Sequence, residues 1–200
     1  MKNSRIKIFI AIATLVLAGG AYYLAKNRPT GKPPAPEVQN QALSEGQKIY
    51  KNIKYGFSFG YPKEFTISEF TESNADVVLI SDAKASGIFQ ISVSPWDEPF
   101  DSTQGKPGPI TKERILKDIP DMRISNDKEI SVGGFDKITA SGETDSTSSP
   151  QKALSFISKD ELGNETQETW FVHNGNLYQI SALSSFEGEL LKILATWKFQ

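Results

Sequence analysis

Residues able to do chemistry are scarce in this chain of 200 residues, which contains no cysteine and one histidine, His173. The absence of cysteine excludes thiol catalysis, disulfides, Cys-ligated zinc and lipidation at a bacterial lipobox. A catalytic histidine needs a nucleophile or a carboxylate beside it, and the sequence offers only unspecific Ser, Asp and Glu candidates. A surface hydrolase that uses His173 is therefore the alternative hypothesis. A polar residue at a strand end is the favoured interpretation.

Acidic side chains cluster in a Pro/Gly-rich loop at residues 95–109, at positions Asp97, Glu98 and Asp101. Calcium prefers several oxygen ligands from a flexible loop, so a module for calcium-dependent adhesion is a further alternative. The spacing lacks the alternating ligands and the closing Glu of an EF-hand. We therefore expect a solvated loop, no dedicated metal site and no cofactor beyond weak calcium binding.

Aromatic side chains flank the same acidic loop. Trp96 and Phe100 stand just past a predicted strand end, and long loops of this kind are often functional. The other two tryptophans, Trp170 and Trp197, are expected in the core. The candidate partner-binding residues are Trp96, Asp97, Glu98, Phe100 and Asp101.

The net charge of −2 hides a division along the chain. Residues 1–25 carry three basic and no acidic side chains, whereas the remainder carries 19 basic and 24 acidic ones, a charge of −5. An acidic domain of this kind is not expected to bind nucleic acid.

An uncharged run of 18 residues, 8–25, lies between Lys7 and Lys26. As a helix it is about 27 Å long, close to the thickness of a hydrocarbon core. We expect residues 1–26 to be a single-pass membrane anchor that contacts lipid through residues 6–25, with a cleaved signal peptide as the alternative. The short basic start favours an extracytoplasmic carboxyl-terminal domain.

Residues 27–47 contain four prolines and no periodic apolar face, which indicates a semi-extended linker. Residues 48–200 have the size of a single domain. Alternating apolar residues predict strands in this part of the chain. The predicted strands are residues 57–61, 65–70, 77–81, 88–94, 129–132, 135–141, 153–159, 166–173 and 177–183.

Turn residues between the last three predicted strands indicate how these strands pair. Asn174-Gly175 is the dipeptide of a type I′ turn, and Gly163-Asn164 also suits positive φ. The three strands are therefore expected to form an antiparallel meander.

Two amphipathic helices are also predicted. In the first, Thr111 is the N-cap and Pro120 follows the last turn; in the second, Ser184 and Glu187 make a capping box before a stripe of Leu190, Leu191 and Leu194. An antiparallel sheet with helices packed on it, an α+β layered domain, is the expected fold.

Several short motifs occur in a characteristic order along the domain: YKNIKYGFSFGYPKEFTI at residues 50–67, VSP at 93–95, GFD at 134–136, NGNLYQISAL at 174–183 and TWKF at 196–199. Together they resemble the PsbP-like family, to which the extrinsic subunit of photosystem II belongs. The resemblance implies an α/β/α sandwich. The predicted anchor is a departure from the plant subunit, so the chain is expected to be a membrane-anchored bacterial relative of this family. It also implies a non-enzymatic accessory role, since members of this family are mostly accessory or assembly proteins. A membrane-tethered, extracytoplasmic binding module is therefore the leading hypothesis.

Overall fold

The computed structural model describes residues 46–82, 87–96, 110–133, 150–159 and 163–200. These residues form ten strands, two short α-helices and a 3₁₀ turn at Ser184–Phe186. The strands are β1 (Gln47–Asn52), β2 (Phe57–Pro62), β3 (Thr66–Glu72), β4 (Ala75–Ser81), β5 (Gly87–Pro95), β6 (Arg123–Val132), β7 (Gln151–Lys159), β8 (Glu165–His173), β9 (Asn176–Leu183) and β10 (Lys198–Phe199). The helices are α1 (Lys112–Asp118) and α2 (Glu187–Ala195).

The strands form two antiparallel sheets. Seven of them pair in the order β3-β4-β5-β9-β8-β7-β6, and the other three pair in the order β1-β2-β10. The predicted meander is confirmed, because β8 pairs with both β7 and β9. Asn174 and Gly175 both adopt positive φ, 47° and 72°, in the turn between β8 and β9, as a type I′ turn requires.

Helix α1 begins as the sequence predicts. The Thr111 hydroxyl accepts a hydrogen bond from the Arg114 N–H at 3.2 Å, which satisfies one free donor of the first turn. Ile110 and Ile115 are both buried beneath the helix.

Helix α2 departs from its prediction. It begins at Glu187, after the 3₁₀ turn, and no side chain caps it. The Ser184 hydroxyl donates instead to the Glu165 carbonyl at 3.3 Å, so the predicted capping box is wrong. Leu190 and Leu194 are buried, but Leu191 is 44% exposed and belongs to the outer face.

The main core lies between the two sheets and is rich in aromatic rings. Trp197, just before β10, stacks on Phe57 with ring centres 4.5 Å apart and on Phe59 at 5.4 Å. From the seven-stranded sheet, Phe171 and Tyr178 stack on each other at 4.8 Å and complete the cluster. The prediction that Trp197 and Trp170 are core residues is confirmed, since they are 1% and 3% exposed.

A second apolar cluster covers part of the opposite face of the large sheet. Side chains alternate between the two faces of a strand, so Trp170 faces away from Phe171 and packs with Phe156 and Leu177. Ile110 and Ile115 of the α1 region close this cluster from above.

The predicted sandwich of one sheet between layers of helix is wrong. The helices have only 7 and 9 residues, which is too little to cover both faces of a seven-stranded sheet. One face packs largely against the small sheet, whose strand β2 pairs with β10 from the far end of the chain. The described part of the chain is therefore mostly antiparallel β-sheet rather than a helix-sandwiched α/β/α domain.

No helix among the described residues is both long enough and apolar enough to cross a membrane. The predicted anchor within residues 1–26, most of the linker and the predicted strand at 135–141 lie outside the described residues.

Candidate functional site

A narrow cleft lies between α1 and the end of the large sheet where β5 stops. It is lined by Trp96, Ile110, Arg114, Ile115, Asp118, Ile119, Trp170 and Leu177. Its volume is about 10 Å³, roughly the space that one water molecule needs. Small-molecule sites are commonly some hundreds of Å³, so this cleft does not accommodate a substrate.

Trp96 stands at the mouth of this cleft and is held in place there. Its backbone N–H donates to the Gly175 carbonyl at 2.9 Å, and the Arg114 guanidinium lies 5.3 Å from the centre of its ring. The Arg114 Nε in turn donates to Asp118 Oδ2 at 2.8 Å. The indole N–H of Trp96 is buried and has no acceptor among the described residues.

The predicted partner-binding residues are thus located only in part. Trp96 lies at the cleft, half-buried. Asp97, Glu98, Phe100 and Asp101, and with them the calcium hypothesis, lie outside the described residues. In the described ranges, no group of three or more acidic or histidine side chains is placed to hold a metal ion.

A buried carboxyl group, that of Glu168 on β8, lies next to the cleft residue Trp170 on the same face of the large sheet. Its Oε2 accepts hydrogen bonds from the Trp170 indole N–H at 3.0 Å and the Ser181 hydroxyl at 2.6 Å. Its Oε1 accepts one from the Thr166 hydroxyl at 2.7 Å. Through Trp170, the carboxylate is joined to the apolar lining of the cleft.

The three donors to Glu168 are all neutral. Burial raises the pKa of Glu168, and the hydrogen bonds from Ser181, Thr166 and Trp170 offset only part of that shift. A raised pKa in a buried carboxyl marks a candidate functional group. The sequence does carry a signal for it, since alternation puts Glu168 on the same face as the buried Trp170.

His173, at the end of β8, has surroundings unlike those of a catalytic base. Its Nδ1 lies 3.1 Å from Gln151 Oε1, and its ring stacks on Phe199 with the ring centres 3.6 Å apart. In the part of the chain that the structure describes, it hydrogen-bonds to no serine and no carboxylate. This geometry favours a packing role over acid–base chemistry.

Comparison with known proteins adds information on the fold. No family model matches the chain, and no curated protein matches it. A solved structure does match, the solution structure of cyanobacterial PsbP from Synechocystis sp. PCC 6803, with a TM-score of 0.51 and 14% sequence identity. The match covers 82% of this chain and 98% of that chain. The chain has a PsbP-like fold.

The PsbP-like fold also explains which residues carry the sequence resemblance. Phe57, Phe59, Tyr178 and Trp197 come from three of the quoted motifs, and all four are buried in the main core. These motifs therefore reflect the packing between the two sheets. At 14% identity they show nothing about activity.

The environment of His173 within this fold predicts how stability depends on pH. Partial burial lowers the pKa of His173 below its ordinary value of 6.5. Below pH 6.5 the unfolded chain takes up a proton before the folded chain does, so we expect the free energy of unfolding to fall as the pH drops. Because the ring is partly exposed, the effect should stay below about 1 kcal/mol.

Urea titrations between pH 5 and pH 8 on the wild type and on His173→Asn measure this effect. Between pH 6.5 and 5, the free energy of unfolding should decline less in His173→Asn than in the wild type. The decline that remains in the variant comes from other titrating groups. Identical pH profiles for the two proteins would contradict the prediction.

Proposed function

We propose that this chain is a non-enzymatic binding module, tethered to the outer side of the cytoplasmic membrane, that contacts a protein partner through Trp96 and the segment after it. The PsbP-like fold is consistent with an accessory role. The fold by itself indicates neither a partner surface nor a membrane attachment, so these two parts of the proposal rest on other observations. The observation that carries the proposal is the position of Trp96.

Trp96 has the features of a binding anchor. Partially exposed tryptophans are enriched among the residues that dominate protein interfaces. This one is held by the Arg114 side chain over its ring and by its own backbone hydrogen bond to Gly175. A pre-positioned ring loses little conformational entropy when a partner binds.

The chemistry at this end of the sheet also favours a partner over a substrate. The cleft beside Trp96 holds about 10 Å³, which is too little for a substrate, whereas a partly exposed indole ring is a common contact in protein interfaces. The sequence continues with Asp97, Glu98 and Asp101, so a partner with basic groups around an apolar contact fits best. Their negative charge would speed the encounter.

The proposed tether is supported by the charge division and by the apolar segment within residues 6–25. Three basic residues precede the uncharged run at residues 8–25, and a Pro-rich stretch follows it. Such a spacer would hold the domain away from the lipid surface.

One experiment with the full chain in cells of its source organism tests both the partner surface and the membrane tether. A photo-activated benzophenone amino acid replaces Trp96 in one variant and Leu191 in the control, since Leu191 is an exposed apolar residue on α2. After irradiation, membranes are washed with alkaline carbonate and the products are separated by mass.

We expect the chain to stay with the washed membranes and to give a discrete crosslinked product from position 96 but not from position 191. Release by carbonate would contradict the tether. No product from position 96, or the same products from both positions, would contradict the partner surface.

A further inference from the structure

The seven-stranded sheet ends in β3 on one side and in β6 on the other. Outer strands expose unpaired backbone groups, and proteins usually block them with bulges, prolines or lysines. Among the described residues, β3 carries none of these three features. It is therefore a separate surface from the Trp96 cleft that a partner can reach.

The outward hydrogen-bonding groups of β3 follow from its hairpin with β4. Ser73 and Asn74 adopt positive φ, 49° and 74°, in a two-residue turn closed by the pair Glu72 and Ala75. In such a hairpin the closing pair is hydrogen-bonded, and alternate residues point their backbone groups away. The residues whose N–H and C=O groups face outward are Ile67, Glu69 and Thr71.

The register of β3 with β4 is unbroken over seven residue pairs, from Thr66 to Glu72. Within the described residues, no backbone hydrogen bond beyond this ladder involves the three outward-facing residues. A straight edge with three regularly spaced donors and acceptors is the template that strand addition requires.

The opposite edge, β6, is blocked. Its register with β7 shifts between Ser125 and Lys128, and Asn126 adopts φ 54° inside this bulge. Charged side chains occupy Asp127, Lys128 and Glu129 in succession. The bulge breaks the regular spacing of the outward donors and acceptors, and a lysine on an edge strand also disfavours pairing.

Side chains along β3 indicate what kind of strand would fit. Residues 64–81 contain four acidic and no basic side chains. Of these, Asp76 is paired with Lys54, and Glu69 accepts a hydrogen bond from the Tyr50 hydroxyl but has no cationic partner among the described residues. Glu69 on one face and Glu72 on the other belong to β3 itself. Phe70 is 38% exposed between them and offers an apolar contact.

A second copy of the chain does not fit this edge at neutral pH. Pairing β3 with its own copy would bring four carboxylates, Glu69 and Glu72 from each chain, into one ribbon that holds no cation. Facing like charges destabilise a strand pair. A basic strand meets opposite charges instead.

We propose that β3 binds an extended segment of a partner protein, with alternating basic and apolar side chains, by adding it as an eighth strand of the sheet. Basic side chains of this segment lie on the face of Glu69, and its apolar side chains lie on the opposite face, where one covers Phe70. Backbone hydrogen bonds to Ile67, Glu69 and Thr71 supply the affinity, and the charges supply the selectivity.

The probe for this proposal is a capped octapeptide of alternating lysine and valine, labelled with a fluorophore. Binding to the full chain in detergent micelles is followed by fluorescence anisotropy. We expect saturable binding that weakens as salt is added. A peptide methylated on alternate backbone nitrogens, and one with glutamate in place of lysine, should each bind at least about tenfold more weakly.

Two variants at one position separate the edge hydrogen bond from the side chain. Thr71→Pro removes the outward N–H but leaves the ladder to β4 intact. Thr71→Val keeps that N–H and removes only the hydroxyl that donates to Asp76. We expect Thr71→Pro to lose binding by about tenfold or more, while Thr71→Val retains it within about twofold.

Circular dichroism and thermal melts establish that both variants remain folded. Equal peptide affinity for Thr71→Pro and Thr71→Val would overturn the proposal, as would equal binding of the methylated peptide. So would a dimer of the full chain at pH 7 that Thr71→Pro dissolves, because β3 would then bind its own copy. Each of these results leaves the crosslinking test at position 96 unaffected.

Discussion

Replacing Glu168 with alanine is expected to lower the free energy of unfolding by about 3 kcal/mol at pH 7. The substitution leaves a cavity beside Trp170, and it removes the acceptor of the Trp170 indole N–H. The hydroxyls of Thr166 and Ser181 can find new partners by rotation, but an indole N–H only donates. Urea unfolding followed by tryptophan fluorescence measures the change.

Glu168→Gln separates the charge of this side chain from its size. Glutamine fills the same volume, its Oε1 accepts from Trp170, and its Nε2 donates to a hydroxyl oxygen. Burial holds the pKa of Glu168 above its ordinary value of 4.5. The carboxyl group therefore adds stability while it is protonated and loses that contribution as the pH rises from about 4.5 through the folded-state pKa.

We therefore expect Glu168→Gln to equal or exceed the stability of the wild type at pH 7 to 8, with a gap that closes toward pH 4.5. If Glu168→Gln is as unstable as Glu168→Ala, the three donors stabilise the ionised form and the expected direction of the pKa shift is wrong.

The strands were largely predictable from the sequence because their signals are local. Alternation within 166–173 and 177–183 locates β8 and β9 to within one residue, and Asn174-Gly175 specifies their pairing. Period-two alternation and turn dipeptides act over a few residues, so no long-range information was needed.

The layer opposite the large sheet was not predictable in the same way. It depends on β2 pairing with β10, for example Phe57 with Phe199, and β10 has only two residues. A contact between positions so far apart leaves no periodic trace. Both amphipathic helices could be recognised from the sequence. Both faces of the large sheet were therefore expected to be covered by helix, although the helices are too short for this.

Only part of the candidate site could be predicted from the sequence. Trp96 was visible as an aromatic residue just past a strand end. Its contact with Arg114 depends on where α1 docks, which the sequence does not state. Alternation with Trp170 indicates the face of Glu168, and the turn at Asn174-Gly175 places Ser181 opposite it. What the sequence does not show is that the Trp170 indole N–H turns toward this carboxyl group and is buried with it.

Gly133→Ala is expected to destabilise the fold by about 3 kcal/mol or more, because two costs add at this position. Gly133 follows β6 with φ 72°, where a side chain is strained. A Cβ placed there would also lie 2.5 Å from the carbonyl oxygen of Trp197, so the backbone beside the stacked core rings must move. The Gly133 N–H already donates to the Leu194 carbonyl at 3.2 Å, which limits how far it can retreat.

Gly175→Ala is the matched control for this prediction. Gly175 has the same φ of 72°, but nothing lies within 4 Å of the position its Cβ would take. This variant should therefore cost only the strain of the left-handed conformation, about 1 kcal/mol. Urea unfolding gives the loss in the free energy of unfolding for each variant. The difference between the two losses, about 2 kcal/mol or more, measures the cost of the close approach between Gly133 and Trp197. Equal losses would mean that the chain around Trp197 moves aside freely, and that the junction between β6 and β10 does not fix how the small sheet packs.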